Sequence, residues 1–124
     1  MFRITQGKGF GVGFPNGYRL SVQFGPFNYC DNKNYECVGE FNDAQTRAGA
    51  EGCANAEIAV IQPNGEFMEL IGDSVEGYVT PTQVAVIMAV LAANVSPEQT
   101  AGAVREVLSD PDFMSEPEVK ALTP

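Results

Sequence analysis

The residue types that most often perform catalysis are scarce in this sequence. Its 124 residues include no histidine, so the commonest general base is missing. Cysteine nucleophiles usually rely on such a base, and Cys30, Cys37 and Cys53 have none. Glu66 and Glu69 are paired in sequence, but their hairpin surroundings indicate solvated carboxylates. We predict no catalytic residue and no cofactor, and we expect the protein not to be an enzyme.

The cysteines also bear on metal binding and on redox state. Cys30 and Cys37 are too far apart for a tight zinc knuckle, and without histidine every zinc ligand would have to be a thiolate or a carboxylate. The number of cysteines is odd, and no basic stretch followed by an apolar run marks an export signal. We therefore predict reduced thiols, no metal site and a cytoplasmic protein.

An aromatic segment at residues 24–32 is the strongest candidate for ligand binding. It places Phe24, Phe27 and Tyr29 among amide side chains such as Asn28. Aromatic faces stack on nucleobases, and asparagine amides can read the edges of a base or a ribose. Alternatively, Phe24 and Phe27 fill the core while Asn28 and Asn32 form turns. The residue types alone favour this alternative.

The charge distribution limits the class of partner. The net charge is −9, which argues against a nucleic-acid polymer because phosphate contacts need a basic face. Residues 1–40 hold four of the seven cationic residues but only three of the sixteen acidic ones. These few cations either form a local anion site or simply aid solubility, and for any single one the second explanation is favoured.

Alternating glycines mark the second predicted strand. Gly7, Gly9, Gly11 and Gly13 lack the spacing and the Lys-Ser/Thr ending of a phosphate-binding loop. Their alternation instead removes side chains from one face of the strand, so that a backbone or a ligand can approach closely. Tight packing against a neighbouring strand or subunit explains the pattern equally well.

The elements that position these residues predict an α+β fold, with an antiparallel β-sheet of about five or six strands followed by two short C-terminal α-helices. The best strand, residues 18–24, alternates Tyr18, Leu20 and Val22 with polar residues. Asn-Gly turns at residues 16–17 and 64–65 indicate hairpins. Strands are predicted at residues 2–5, 10–14, 18–24, 56–62, 66–71 and 75–79, and a further short strand is considered at 38–41.

Two capping boxes mark the helices. Thr80 and Gln83 begin one helix and Ser96 and Gln99 begin the next, each with proline at the first helical position. Helices are predicted at residues 81–93 and 97–109. The chain is thus a single domain over 1–124, with strands mainly in 1–79, the helices in 80–109 and a loosely attached tail from 110 to 124.

The first predicted helix has no polar side. Residues 84–93 carry no charge, whereas a helix on one face of a sheet normally exposes a polar stripe. This apolar run has ten residues, about half of what a membrane-spanning helix needs, so we expect no membrane association. Its far side must be covered by the second helix, by another subunit or by both. Self-association is the simplest hypothesis.

The chain up to residue 94 resembles the phage-encoded anti-Thoeris sponges. The resemblance lies in these runs: Gly7-Lys8-Gly9-Phe10, Asn16-Gly17-Tyr18, Ser21-Val22-Gln23-Phe24-Gly25, Asn28-Tyr29-Cys30, Ala56-Glu57-Ile58-Ala59-Val60 and Val75-x-Gly77-Tyr78-x-Thr80-Pro81. It implies a non-catalytic protein that sequesters cyclic ADP-ribose signals made by bacterial TIR-domain defence enzymes. Cyclic oligonucleotides of related defence systems are also implied ligands. The resemblance further implies homo-oligomers in the host cytoplasm, as dimers or as hexamers assembled through the helices, with the ligand held at subunit boundaries.

For such a ligand we expect aromatic residues to stack on adenine, arginine and lysine to bind the pyrophosphate and asparagine to contact the ribose. The candidate ligand-binding residues are Arg19, Phe24, Phe27, Asn28, Tyr29, Arg47, Tyr78 and Arg105. Two other functions remain open. The acidic part of the chain after residue 40 is typical of an inhibitor that binds a basic host enzyme, and a minor phage structural protein is the third alternative.

Overall fold

The computed structural model describes residues 1–5, 8–33 and 52–110. Within these residues, five strands form one antiparallel sheet in chain order, and two helices follow the strands. This arrangement confirms the predicted α+β class. The strands are β1 (Phe2–Ile4), β2 (Gly9–Gly13), β3 (Arg19–Gln23), β4 (Ala56–Ile61) and β5 (Glu76–Val79), and the helices are α1 (Pro81–Ala92) and α2 (Pro97–Ser109).

Strand β3 lies at the centre of the sheet, and its side chains alternate between the two faces of the sheet. Leu20 and Val22 are buried against the helices, together with Val60 and Ile58 opposite them on β4. The alternate residues, including Ser21, project from the other face, which we call the open face. The alternation predicted for residues 18–24 is confirmed.

The strand predicted at residues 66–71 is wrong. Only a single bridge joins Phe67 to Ile61, and the Met68 amide donates to the Val60 carbonyl oxygen at 2.8 Å. The chain then turns, because the Leu70 amide bonds to the carbonyl of Asp73 instead of continuing the ladder. Strand β5 pairs with the first half of β4 instead. The short strand considered at 38–41 and the tail beyond residue 110 lie outside the described residues.

Helix α2 supplies part of the cover that the uncharged α1 requires. Ile87 and Leu91 of α1 share the buried core with Val104 and Val107 of α2. Apart from Pro81 at its start, the exposed positions of α1 are alanines: Ala85, Ala89 and Ala92. Neither described helix is long and apolar enough to cross a membrane.

Both predicted capping boxes are present. The Thr80 hydroxyl accepts from the Gln83 amide, and Ser96 and Gln99 repeat the arrangement in α2. Gln83 differs from Gln99 in being buried. Its side-chain nitrogen donates to the carbonyl oxygens of Val107 at 3.1 Å and Asp110 at 3.2 Å. Gln83 therefore links the start of α1 to the end of α2.

Candidate functional site

The segment of residues 24–33, which we call the aromatic loop, is fixed by hydrogen bonds to the sheet. The Asn28 side-chain oxygen accepts from the Gly25 amide at 2.9 Å, and its nitrogen donates to Glu57 Oε1 at 3.3 Å. The other carboxylate oxygen of Glu57 accepts from the Tyr29 amide at 2.9 Å. Glu57 pairs with Gln23 and therefore projects from the open face. The loop is tied to this face of β4.

Asparagines hold the rest of the aromatic loop. The Asp31 amide donates to Asn55 Oδ1 at 2.8 Å. The buried Asn32 donates to the carbonyl oxygens of Phe24 at 2.7 Å and Gly52 at 3.0 Å. Together with the bonds of Asn28, these contacts show that the loop amides are already used inside the protein. Both ends of the Asn28 amide, which we predicted to contact a ribose, are occupied by such bonds.

Tyr29 packs directly on the backbone of β5. The Tyr78 amide donates to the Tyr29 carbonyl oxygen at 2.9 Å. A Cβ atom added to Gly77 would lie 2.5 Å from Tyr29 Cβ and 2.9 Å from Tyr29 O, so only glycine permits this approach. Tyr78 itself has φ +56°, in the left-handed region. This conformation costs roughly 1–2 kcal/mol for a side chain other than glycine, and such strain concentrates at functional sites.

Three aromatic side chains on or beside the loop are exposed, and a lysine lies over each of two of these rings. Phe27, Tyr29 and Tyr78 each expose more than half of their surface. Lys8 Nζ lies 5.2 Å from the centre of the Phe27 ring, and Lys33 Nζ lies 4.5 Å from that of Tyr29. We call these five residues the aromatic cluster. It combines stacking surfaces with positive charge in an acidic protein.

Phe24 faces a different environment. It is half-buried and lines an apolar cavity of about 290 Å³ between the sheet and α1, together with Phe10 and Met88. The structure therefore brings together four of the predicted site residues, Phe27, Asn28, Tyr29 and Tyr78, and turns Phe24 toward the core. The sequence-based list missed both lysines. Lys8 reaches the loop because its carbonyl accepts from the Phe24 amide at 2.8 Å, a pairing that follows from the β2–β3 register.

Family models, curated proteins and solved structures all give no match to this chain.

Of the predicted arginines, the two that the structure describes, Arg19 and Arg105, do not join the aromatic cluster. Arg19 lies at the start of β3, whereas the aromatic loop follows the end of that strand. Arg105 donates through Nε to the Glu69 carbonyl oxygen at 2.9 Å, which links α2 to the segment after β4. Arg47 lies outside the described residues.

Arg19 instead borders a shallow groove on the open face. Register places Arg3 of β1 beside Gly11 and Arg19 beside Gly13. The bare strand β2 forms the floor, and the space above it is about 180 Å³. Within the described residues, neither guanidinium forms a hydrogen bond or an ion pair. We call this feature the open groove; Gly11 and Gly13 create it, because they place no side chain on its floor.

Cys30 and Cys53 meet beneath the aromatic loop. Burial of Cys30, followed by the effect of the neighbouring Cys53, raises the pKa of the Cys30 thiol from an ordinary value of 9.0 to about 11. The Cys30 sulfur donates to the Gly25 carbonyl oxygen at 3.5 Å. In the described part of the chain, no three Cys, Asp or Glu side chains are grouped as metal ligands.

We expect the buried Cys30 thiol to be alkylated slowly by iodoacetamide at neutral pH, because the thiolate is the reactive form. The rate of alkylation should rise about tenfold per pH unit up to about pH 10.

Since the folded thiol keeps its proton above the pKa of the unfolded thiol, the protein should lose stability between about pH 9 and pH 11. Cys30→Ala should remove that part of the loss. Mass spectrometry measures the alkylation rate of each cysteine. If Cys30 in the folded protein is alkylated as fast as in protein unfolded by urea, the predicted protection is contradicted.

Proposed function

We propose that this protein binds and sequesters a small nucleotide without changing it chemically. The observation that carries the proposal is the aromatic cluster, in which the exposed Tyr29 and Tyr78 are joined through their backbones and Tyr78 adopts a strained conformation. Folding alone gives no reason to place a tyrosine there, since glycine would fit without strain. A ring held in this position at an energetic cost is consistent with a role in binding.

The chemistry of the cluster suits a nucleotide. Stacking of a base on an aromatic side chain contributes about 1–3 kcal/mol. Lys8 and Lys33 lie close to the rings, so a phosphate attached to the stacked nucleoside would meet positive charge. The open groove offers two further cations, Arg3 and Arg19, on the open face of the same sheet. A small ligand needs only this local charge, whereas a nucleic-acid polymer would be repelled by the remainder of an acidic protein.

We further propose that the ligand is a cyclic nucleotide signal, either a cyclic ADP-ribose isomer or a cyclic oligonucleotide. The resemblance to anti-Thoeris sponges supports this choice. The absence of histidine, the commonest general base, supports binding without chemical change. In this proposal the protein is a homo-oligomeric phage protein that acts in the host cytoplasm and blocks a defence pathway by removing its signal.

The test is calorimetry against a panel of cyclic ADP-ribose isomers and cyclic oligonucleotides. Heat denaturation of the complex should return the bound ligand intact, as determined by mass spectrometry. Recovery of a cleaved product would show an enzyme instead. If no nucleotide binds and the protein captures a basic protein in a salt-sensitive manner, the proposal fails and an acidic inhibitor is favoured.

Replacing Tyr78 by glycine separates binding from folding. We expect Tyr78→Gly to leave the free energy of unfolding unchanged or to raise it by up to about 1 kcal/mol, because glycine accepts the left-handed conformation without strain. The same change should weaken nucleotide binding about tenfold or more, since one stacking surface is lost. Urea unfolding and calorimetry measure the two effects. Phe67→Ala is the control, because Phe67 is an exposed aromatic on a different part of the chain. Undiminished binding by Tyr78→Gly would contradict a role for this ring.

A further inference from the structure

Strand β1 presents an unpaired edge whose backbone groups point outward in a defined pattern. The Thr5 amide donates to the Gly9 carbonyl oxygen, and the Gly13 amide donates to the Met1 carbonyl oxygen. The backbone N–H and C=O groups of residues 1, 3 and 5 therefore point toward β2. In an antiparallel pair, the backbone groups of the intervening residues point away from the partner strand. The N–H and C=O groups of Phe2 and Ile4 therefore point away from the sheet, and they have no backbone partner within the described residues.

The same two residues expose their side chains. Phe2 is 78% and Ile4 89% exposed, and register places them on the helix side, opposite Val12 and Phe10. Short edge strands normally carry charged residues or proline against unwanted pairing. Here the edge combines free backbone groups with a large apolar surface, which is typical of a pairing surface.

We propose that two copies of the chain pair along β1 around a two-fold axis at Arg3, and that a phosphate-bearing anion bound between the two Arg3 side chains stabilises the pair. Antiparallel pairing around this axis matches Phe2 of one copy with Ile4 of the other. Each matched pair exchanges two hydrogen bonds, because its backbone groups already point outward. The apolar side chains of both copies then meet on the helix side. A second copy fits this edge because the pattern is complementary to itself.

The axis brings like charges together. Arg3 would face the partner copy's equivalent arginine in a pair that is not hydrogen-bonded, where Cα atoms approach to about 4.5 Å. Like charges directly opposite each other destabilise a sheet. The arginines project from the open face, where Arg19 lies two strands inward, at roughly 12 Å between Cα atoms. An anion placed there would contact cations of both copies and relieve their repulsion.

The contact area supports a pairing that depends on the anion. Phe2 and Ile4 would bury on the order of 300 Å² per copy, well below the ~800 Å² per partner of a stable complex. The open groove of one copy encloses about 180 Å³, less than the 300–1,000 Å³ typical of ligand pockets. Pairing would widen this groove across the axis. The inference rests on the proposed function and deepens it, since the anion it describes is a phosphate group of the sequestered nucleotide that reaches the open groove, not the one placed beside Lys8 and Lys33.

The test is sedimentation at low ionic strength with sodium pyrophosphate as the probe. We expect pyrophosphate to tighten self-association about tenfold, which is within the range of ordinary coupling between two sites. Arg3→Gln should abolish this dependence. Ile4→Pro should abolish pairing and still fold, because the amide it removes points away from β2 and breaks no bond within the chain. Phe67→Ala, which removes an exposed aromatic elsewhere, should associate like the unaltered protein.

Two results would overturn the inference: association that does not respond to pyrophosphate, or pairing of Ile4→Pro as tight as that of the unaltered protein. The outcome is separable from that of the proposed function. If Ile4→Pro stays monomeric and binds the cyclic nucleotide with full affinity, the nucleotide proposal stands and the paired anion site is wrong. If pyrophosphate drives pairing but no cyclic nucleotide binds, the reverse holds.

Discussion

Gly77→Ala is expected to displace the aromatic loop from β5, to lower the free energy of unfolding by about 2 kcal/mol and to weaken nucleotide binding at least tenfold. The added methyl group would lie 2.5 Å from Tyr29 Cβ and 2.9 Å from Tyr29 O. The backbone oxygen cannot rotate away as the end of a side chain could, so the loop must move. Overpacking of this kind costs roughly 1–3 kcal/mol. The hydrogen bond from the Tyr78 amide would be lost with it.

Gly102→Ala is the matched control for this substitution. Gly102 lies in α2 with open space where its Cβ would be, so alanine there should raise stability by up to about 1 kcal/mol through helix propensity. Urea unfolding gives the stabilities, and amide NMR shifts of residues 25–33 report the displacement of the loop. If Gly77→Ala leaves these shifts unchanged, the loop does not depend on the bare backbone at residue 77.

Gln83→Leu is expected to lower the free energy of unfolding by about 3 kcal/mol. Leucine cannot donate the two hydrogen bonds that the Gln83 side-chain nitrogen gives to the carbonyl oxygens of Val107 and Asp110. The Thr80 amide would lose its acceptor, the Gln83 side-chain oxygen at 2.9 Å. Loss of the buried bond to Val107 costs about 1–3 kcal/mol. The part-buried bonds to Asp110 and Thr80 add to this cost, and the gain in apolar contact offsets only part of it. Because the affected groups belong to both helices, their packing on each other should loosen.

Gln99→Leu tests whether burial, not capping alone, makes Gln83 important. Gln99 holds the same capping position in α2, but it is exposed and water can replace its bonds. We expect a loss of no more than about 1 kcal/mol. Thermal and urea unfolding of both variants provide the comparison. Equal losses at the two positions would show that the link between the helices contributes nothing beyond the cap.

Local patterns in the sequence predict most of this fold. The alternation of Tyr18, Leu20 and Val22 depends only on the two-residue period of a strand, and each capping box lies within four residues. The failure at 66–71 has a different origin. Whether that segment joins the ladder depends on the competition with β5 for the edge of β4 and on the bond from Leu70 to Asp73, neither of which is a local property.

The candidate site is less predictable for the same reason. Aromatic residue types pointed to Phe27, Tyr29 and Tyr78, but only the structure shows that Gly77 lets two of them meet. The predicted role of Arg19 depended on its charge, whereas its distance from the aromatic loop follows from strand direction. The charges of Lys8 and Lys33 suggest an anion site, but their nearness to the rings arises from register and loop geometry. Charge and aromaticity can be read from a sequence; convergence in space cannot.

The bonds of Asn28, Asn32 and Glu57 have a consequence for kinetics. They hold the aromatic loop in shape before any ligand arrives, so capture should require little ordering of the chain. For the sequestering role proposed above, the residence time of the bound ligand matters more than the speed of its capture. An aromatic loop that is already ordered in the folded protein favours slow dissociation of the ligand, because affinity differences between related complexes lie mainly in the dissociation rate.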